Sequence, residues 1–256
     1  MTELETIQQP RQFKILLVGD DCTDVYQYGT VDRISPEAPV PVFTFSYEER
    51  KPGMAHNVMK NLEALGCNVT FATSSSVSVK TRLIDTRSKQ QIVRIDNDAR
   101  SAPLLACFIS TEELNQFDAV VVSDYNKGAV DYELIEWLRK EFKGPMFVDT
   151  KKTDLARFEG CVIKINQAEY EKATSFASDI VVTQGANGAV YKGNAMLGPR
   201  VEVADVCGAG DTFLSALVFK FLDLENLEYA ISFANRASAV TVQHFGVYAP
   251  KLEEFE

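Results

Sequence analysis

Short apolar runs recur along the chain at Ile15–Val18, Val69–Ala72, Ala119–Val122, Met146–Val148, Val162–Ile165 and Ile180–Val182. Runs of this length, bounded by polar residues, fit buried strands. Between them the periodicity changes to that of a helix. Met54, Val58, Leu62 and Leu65 share one helical face, and Gly66 supplies a stop. Asp131 is placed to cap a helix whose apolar face holds Leu134, Ile135 and Leu138. Leu214, Leu217, Val218 and Phe221 form another stripe, and Leu227, Ile231 and Ala234 begin one more. Strands alternating with helices predict an α/β fold, a mainly parallel sheet between two helical layers. Two segments break the alternation. One is Pro36–Phe45; the other is Thr81–Asp96, which alternates apolar and polar residues around a Ser-Lys turn and reads as a β-hairpin. Together they predict a small sheet outside the main layers.

The polar residues just after each run are the first functional signal. Gly19-Asp20, Ser123-Asp124, Asp149 to Lys151, Asn166 with Glu169, and Thr183 to Gly185 all follow apolar runs. In an open parallel sheet such positions line the carboxyl edge, where ligands bind. Any one of them could be an ordinary polar loop; five in succession argue for a site.

The sharpest motif is Asp205-Val-Cys-Gly-Ala-Gly-Asp-Thr-Phe213, directly before an apolar helix. Gly208, Ala209 and Gly210 let the backbone approach an anion at a helix N-terminus. Asp211 beside that anion hole has two readings: an N-terminal helix cap, or a general base for a hydroxyl that attacks a phosphoryl group. No GxxxxGK[ST] phosphate loop occurs in the chain.

Bulk properties narrow the field. The 256 residues are 46% hydrophobic and carry a formal net charge of -10. That charge argues against a general nucleic-acid binder, while local Lys and Arg residues can still hold one phosphate. Five scattered cysteines without a CxxC pair and two histidines, His56 and His244, argue against a structural zinc site. No run approaches the roughly 20 apolar residues of a membrane span, and the N-terminus lacks a secretory pattern. These features lead us to expect a cytoplasmic protein with no membrane or nucleic-acid partner, and a flexible polar arm over residues 1–12.

The motifs together resemble the PfkB, or ribokinase-like, carbohydrate kinases. The 205–213 string resembles the family's C-terminal signature, Lys51 to Val58 its glycine-pair motif, and Asn166-Gln-Ala-Glu169 its NxxE motif. Within the family, Ile34–Pro41, Val79–Leu83, Gln90–Asp96, Ser123–Gly128 and Val148–Lys151 are similar to heptose 7-phosphate kinase domains. The resemblance runs from about Phe13 to Pro250 and implies a three-layer α/β/α domain over 13–256, with a small β lid from segments about 31–46 and 80–97.

It implies ATP-dependent phosphoryl transfer to a sugar hydroxyl, with Asp211 as base and Gly208, Ala209 and Gly210 as the anion hole. Asp20, Asp24, Gly53, Asn57, Lys80, Arg82, Arg94, Asp124 and Lys127 are the candidates for the sugar and its phosphate. Asn166, Thr183, Gly185, Cys207, Gly208, Gly210 and Asn235 are the candidates for nucleotide, and Asn166 and Glu169 for Mg²⁺. A homodimer through the lid is expected, since exposed strand edges and apolar faces are usually covered.

Three departures stand out: Met54 replaces the second glycine of the pair, His56 replaces a small residue, and the chain is short between Phe71 and Lys80 and between Glu169 and Ile180. Two other readings stay open, a kinase for another sugar and a binding homologue without catalysis.

Overall fold

The computed structural model describes residues 12–75 and 78–255, so the expected N-terminal arm lies outside the described residues except at Gln12. In chain order the elements are β1 Lys14–Gly19, β2 Asp21–Ile34, β3 Pro41–Met54, α1 Ala55–Ala64, β4 Asn68–Ala72, β5 Val79–Asp85, β6 Gln91–Asn97, α2 Thr111–Leu114, β7 Ala119–Asp124, α3 Tyr132–Glu141, β8 Met146–Thr150, β9 Val162–Asn166, α4 Gln167–Tyr170, β10 Ile180–Thr183, β11 Ala189–Tyr191, β12 Asn194–Met196, α5 Ala209–Leu224 and α6 Leu227–Thr241.

The main sheet has eight strands in the order β12-β11-β10-β9-β8-β7-β1-β4. From β4 to β10 the pairing is parallel, and β11 and β12 extend the edge antiparallel. Successive side chains on a strand point to opposite faces. Ile15, Leu17, Val121 and Phe147 therefore pack in one cluster with the apolar residues of α1, α5 and α6. Leu16, Val18, Val120, Val122 and Val148 pack in the other, with Leu134, Ile135 and Leu138 of α3. Burial on both faces is why these strands read as unbroken apolar runs. Helix ends follow the expected chemistry: Asp131 accepts from the Leu134 N–H at 2.8 Å, and Gly66 takes a left-handed φ of 86° where α1 stops.

A separate four-stranded sheet, ordered β3-β2-β5-β6, stands over the carboxyl edge. The hairpin around Ser88-Lys89 is present as β5 and β6, while the first lid segment is longer than expected. It starts at Asp21 and ends at Met54, two strands of 14 residues each. The sequence does not show the extra length because residues 21–30 lie partly covered on both faces, which erases the clean alternation of a one-sided strand.

Register places Lys51, Asp24, Lys80 and Asp96 in one transverse row and Glu49, Tyr26, Arg82 and Arg94 in the next. Directly paired residues share a face, and this face looks toward the main sheet: Lys80 lies over the ring of Tyr125, just beyond β7. By alternation, Val93 and Ile95 occupy the opposite face, and the register shift between Tyr28 and Gly29 brings Phe45, paired with Gly29, to that face as well; all three are exposed.

Candidate active site

The loop into α5 is folded by Asp205, whose carboxylate accepts the N–H of Cys207 at 3.0 Å and of Gly246 at 2.9 Å. Gly208 is the N-cap of α5 in a left-handed conformation, and Ala209, Gly210 and Asp211 form the first turn. Asp211 is therefore not the cap. Its side chain turns inward, leaving the residue 7% exposed, and its Oδ1 accepts the Tyr125 hydroxyl at 3.0 Å.

Polar contacts hold the helices around it in register. Thr212 donates to the Asn61 side chain at 2.8 Å, and Thr241 donates to Thr212 at 2.9 Å. This joins α1, α5 and α6 beside the carboxylate. Asn57 of α1 also hydrogen-bonds Asp211.

A buried charge, Lys164, and a partly covered one, Asp149, complete the centre. Lys164 of β9 donates to Asp149 Oδ2 of β8 at 2.7 Å. A Cβ built on Gly210 would lie 2.9 Å from the Lys164 ammonium, so that charge sits directly against the first turn of α5. Asp149 Oδ1 is buried without a hydrogen-bond partner. Burial first, and the Asp149 charge second, push the Asp211 carboxyl up to about 6, against the pull of Lys164, Tyr125 and Asn57. A carboxyl that titrates just below neutrality suits general-base work.

Beside the first turn of α5 opens a cleft of about 540 Å³, lined by Thr183, Gly185, Gly188, Pro199, Ala209, Gly210, Phe213, Asn235 and others. Its size and largely apolar wall suit a small ligand. It gathers Thr183, Gly185, Gly210 and Asn235 as anticipated. The Asn235 amide, however, donates to the Met196 carbonyl at 2.8 Å and so braces the wall. Cys207 does not line the cleft. It is exposed and lies within electrostatic reach of Arg82 and Asp24 of the lid.

On the sugar side the expected residues divide. Arg82 donates to Asp24 Oδ1 at 2.6 Å. Gly53 is needed because a Cβ there would meet Asp24 Oδ2 at 2.2 Å. Asp20, only 1% exposed, spends both oxygens on the N–H groups of Lys127 and Ala129, at 2.9 Å each. Asp124 accepts from Asn126 N, Thr150 Oγ1 and Lys152 Nζ. Both carboxylates brace the 125–129 loop, because buried charges stay where partners satisfy them; they offer no open contact to a sugar here. Lys127 pairs with Asp98 at 2.6 Å. Arg94 pairs with Asp96 at 2.8 Å, and its side chain is 51% exposed. His56 pairs with Asp21 at 2.8 Å, which explains it without a ligand.

Asn166 and Glu169 form a reciprocal capping box on α4, and Glu169 also binds Lys151. Among the described residues no three His, Cys, Asp or Glu side chains gather as a metal cage. The oxygen-only donors fit Mg²⁺ through its water shell, since Mg²⁺ keeps waters and is held chiefly by substrate phosphates. Asp149 was expected only as one of the polar positions that follow a strand, and Tyr125 and Lys164 were not singled out. Lys164 is a lone charge inside a buried strand, a signal the sequence does carry; Tyr125 carried none beyond its place after Asp124 in the Ser123–Gly128 string.

The pfkB family carbohydrate kinase model matches residues 76–254. The chain belongs to the pfkB family of carbohydrate kinases. It is 32% identical to the Bifunctional protein HldE of Helicobacter pylori (strain P12), over 94% of this chain and 65% of that protein. The chain thus spans a little under two thirds of that relative's length. The comparison runs over 302 positions, more than the 256 of this chain, in keeping with a pfkB chain shortened in its connections.

The fold matches a ribokinase from Thermotoga maritima at a TM-score of 0.73, with 16% identity and coverage of 94% of this chain and 97% of the other. It also matches an Arabidopsis thaliana ribokinase complexed with ribose and ATP, at a TM-score of 0.69 with 13% identity, covering 93% and 95%. These matches support the ribokinase-like three-layer architecture with its lid. Among the described residues no helix is long and apolar enough to cross a membrane.

Proposed function

We propose that this pfkB-family kinase transfers the terminal phosphoryl group of ATP to a hydroxyl of a phosphorylated sugar, with a heptose 7-phosphate as the best-matched acceptor. One observation carries the reading: a buried carboxylate, Asp211, with its pKa lifted to about 6, stands beside a glycine-built anion hole that opens on the nucleotide cleft.

Asp211 takes the proton of the acceptor hydroxyl, whose oxygen attacks the γ-phosphorus while the bond to ADP breaks. The N–H groups of the α5 first turn and the Lys164 ammonium stabilise charge on the transferring oxygens. Asn166 and Glu169 would hold hydrated Mg²⁺, which when bound neutralises the nucleotide phosphates. Thr183, Gly185 and Asn235 wall the nucleotide.

Lys80 and Arg82 on the site face of the lid support an acceptor phosphate, since charge-assisted hydrogen bonds suit its oxygens. Arg82 would exchange Asp24 for that phosphate and free the carboxylate for a sugar hydroxyl. The exposed lid face of Phe45, Val93 and Ile95 supports a homodimer through the lid. Reliance on ATP and five free cysteines suit the cytoplasm.

Release of ADP would be measured with D-glycero-D-manno-heptose 7-phosphate, fructose 6-phosphate, ribose and the unphosphorylated heptose. The heptose phosphate should give the highest kcat/KM. Equal turnover of the heptose and its phosphate would sink the phosphosugar assignment. No ADP release with any acceptor would favour a binding homologue, the reading that the bulky Met54 in the glycine pair supports.

A further inference from the structure

Tyr125 is the first residue beyond β7, on a turn anchored at three points. Asp124 Oδ1 accepts the Asn126 N–H at 2.8 Å, and Asn126 adopts a left-handed φ of 57°. Asp20 accepts the N–H groups of Lys127 and Ala129. The Ser101 N–H donates to the Lys127 carbonyl at 2.8 Å. From this fixed turn the tyrosine hydroxyl reaches Asp211 Oδ1 at 3.0 Å. Two ammonium groups lie over its ring, Lys80 of the lid at 5.6 Å and Lys151 at 5.7 Å from the centroid. Burial, and then the neighbouring Asp211 and Asp149 charges, hold the phenol well above its usual range. It therefore keeps its proton and can act toward Asp211 only as a donor.

A carboxylate that must meet an incoming hydroxyl needs a fixed rotamer, because misplacement by about 1 Å costs on the order of a hundredfold in rate. The first turn of α5 fixes the Asp211 backbone, not its χ angles. We propose that Tyr125 is a positioning residue for phosphoryl transfer, its hydroxyl setting the orientation of the Asp211 carboxylate from a turn that Asp20 and Asp124 hold rigid. The inference rests on Asp211 being the base. It also gives the two buried aspartates a role in catalysis at one remove, through the turn.

The groups that face Asp211 are Asn57 from α1, Asp149 and Lys151 from the end of β8 and beyond, Lys164 from β9 and Tyr125 itself. Of these, Tyr125 and Asn57 can be altered without changing a formal charge, and Tyr125→Phe removes only the hydroxyl. A donor to the ionised carboxylate favours that form, so losing it raises the carboxyl pKa and strengthening it lowers the pKa.

The test is ¹³C NMR titration of the carboxyl in aspartate-labelled protein, with the Asp211 signal assigned by its absence in Asp211→Asn. In wild type it should titrate near pH 6. In Tyr125→Phe it should move up by about half a unit or more. With 3-fluorotyrosine at position 125, a stronger donor of nearly the same shape, it should move down.

Under ATP and D-glycero-D-manno-heptose 7-phosphate, Tyr125→Phe should lower kcat by about 10-fold or more with KM for ATP nearly unchanged. A titration unmoved by both changes overturns the proposal, as does a shifted titration with unchanged kcat. A fall in kcat with no shift would mean a merely structural role and also overturns it. Asp211→Asn assayed alongside keeps the two readings apart: if it retains turnover, the base assignment fails, whereas loss of turnover with an unmoved Tyr125→Phe titration defeats only the inference about Tyr125.

Discussion

The two sheets of this molecule handle charge in opposite ways. At the carboxyl edge of the main sheet, Asp20, Asp124, Asp149, Lys164 and Asp211 are largely removed from water, and each has a partner from another element or loop: Lys127 and Ala129 for Asp20, Thr150 for Asp124, Lys164 for Asp149 and Tyr125 for Asp211. On the lid, Arg94–Asp96 and Arg50–Glu48 are pairs two residues apart on one strand, open to solvent. Buried groups gain strongly shifted pKa values and fixed geometry, and chemistry needs both. Exposed pairs are worth little energetically and so are readily exchanged for a ligand's charge. The main sheet holds the groups we assign to the chemistry still, and the lid keeps its charges available. Arg82 is the intermediate case, bound to Asp24 and partly covered.

The largest effect that sharpens this contrast lies at Asp211. Asp211→Asn should cut phosphoryl transfer by about a thousandfold, within the range ascribed to general bases, while nucleotide affinity by calorimetry stays near wild type. The same variant should be more stable than wild type near neutral pH. A carboxyl whose folded pKa is raised from 3.8 to about 6 favours folding below the unfolded pKa and loses that advantage as pH rises through the folded one. At about 1.4 kcal/mol per unit, the gain in Asp211→Asn should be on the order of 1–3 kcal/mol at pH 7–8 and vanish below about pH 4. Chemical denaturation at the two pH values would check it; an equal gain at both would break the contrast between buried and exposed charge.

Next in size is the split between two arginines that the sequence presents as equals. Arg82→Ala should raise KM for the sugar phosphate about 10- to 100-fold, the size of one or two charge-assisted hydrogen bonds, with KM for ATP little changed. Arg94→Ala should change either KM by less than about 3-fold. Similar effects from both would mean that the lid acts as a diffuse basic patch and not through placed contacts.

A smaller effect belongs to the outer lid face. Ile95→Lys puts a charge where the twin lid would sit and should weaken self-association by about 10-fold or more, read by light scattering over a concentration series. Wild type that stays monomeric at tens of micromolar would remove the reason for that apolar face. The smallest concerns Met54, held at φ 52° and ψ -123°, a conformation that L side chains rarely adopt. Met54→Gly should raise the unfolding free energy by about 1 kcal/mol, unless lost packing of the buried side chain outweighs the relieved strain; a thermal melt decides the sign.

How far these features could be read in advance follows from the same contrast. The six parallel strands were legible because burial on both faces leaves unbroken apolar runs, and α1, α3, α5 and α6 because each keeps one apolar stripe. The first half of the β2–β3 hairpin was not legible, since partial cover on both faces removes the alternation. At the site, residue types and spacing marked Asp211 and its glycines. They did not separate Asp211, turned inward at the α5 N-terminus, from Asp20 and Asp124, which turn back to hold a loop; that depends on which backbone N–H groups lie nearby after folding. Lys164 stood out as a lone charge in an apolar run, but its partner Asp149 lies on the neighbouring strand, and that pairing appears only after folding.

The point where the lid joins the body has a mechanical consequence. β2 begins one residue after Asp20, β3 ends at Met54 one residue before α1, and Asp21 lies opposite Met54 in the ladder. Both long strands therefore leave the body along a single line, with the Ala55 N–H donating to the Asp20 carbonyl at 3.1 Å beside it. Fourteen residues at about 3.3 Å each make an arm about 45 Å long. A turn of about 5° at that pivot would sweep its far end through about 4 Å while barely displacing Asp24. Substitutions at Asp21 or Met54 would thus be felt most where the lid meets another molecule, farthest from where they are made.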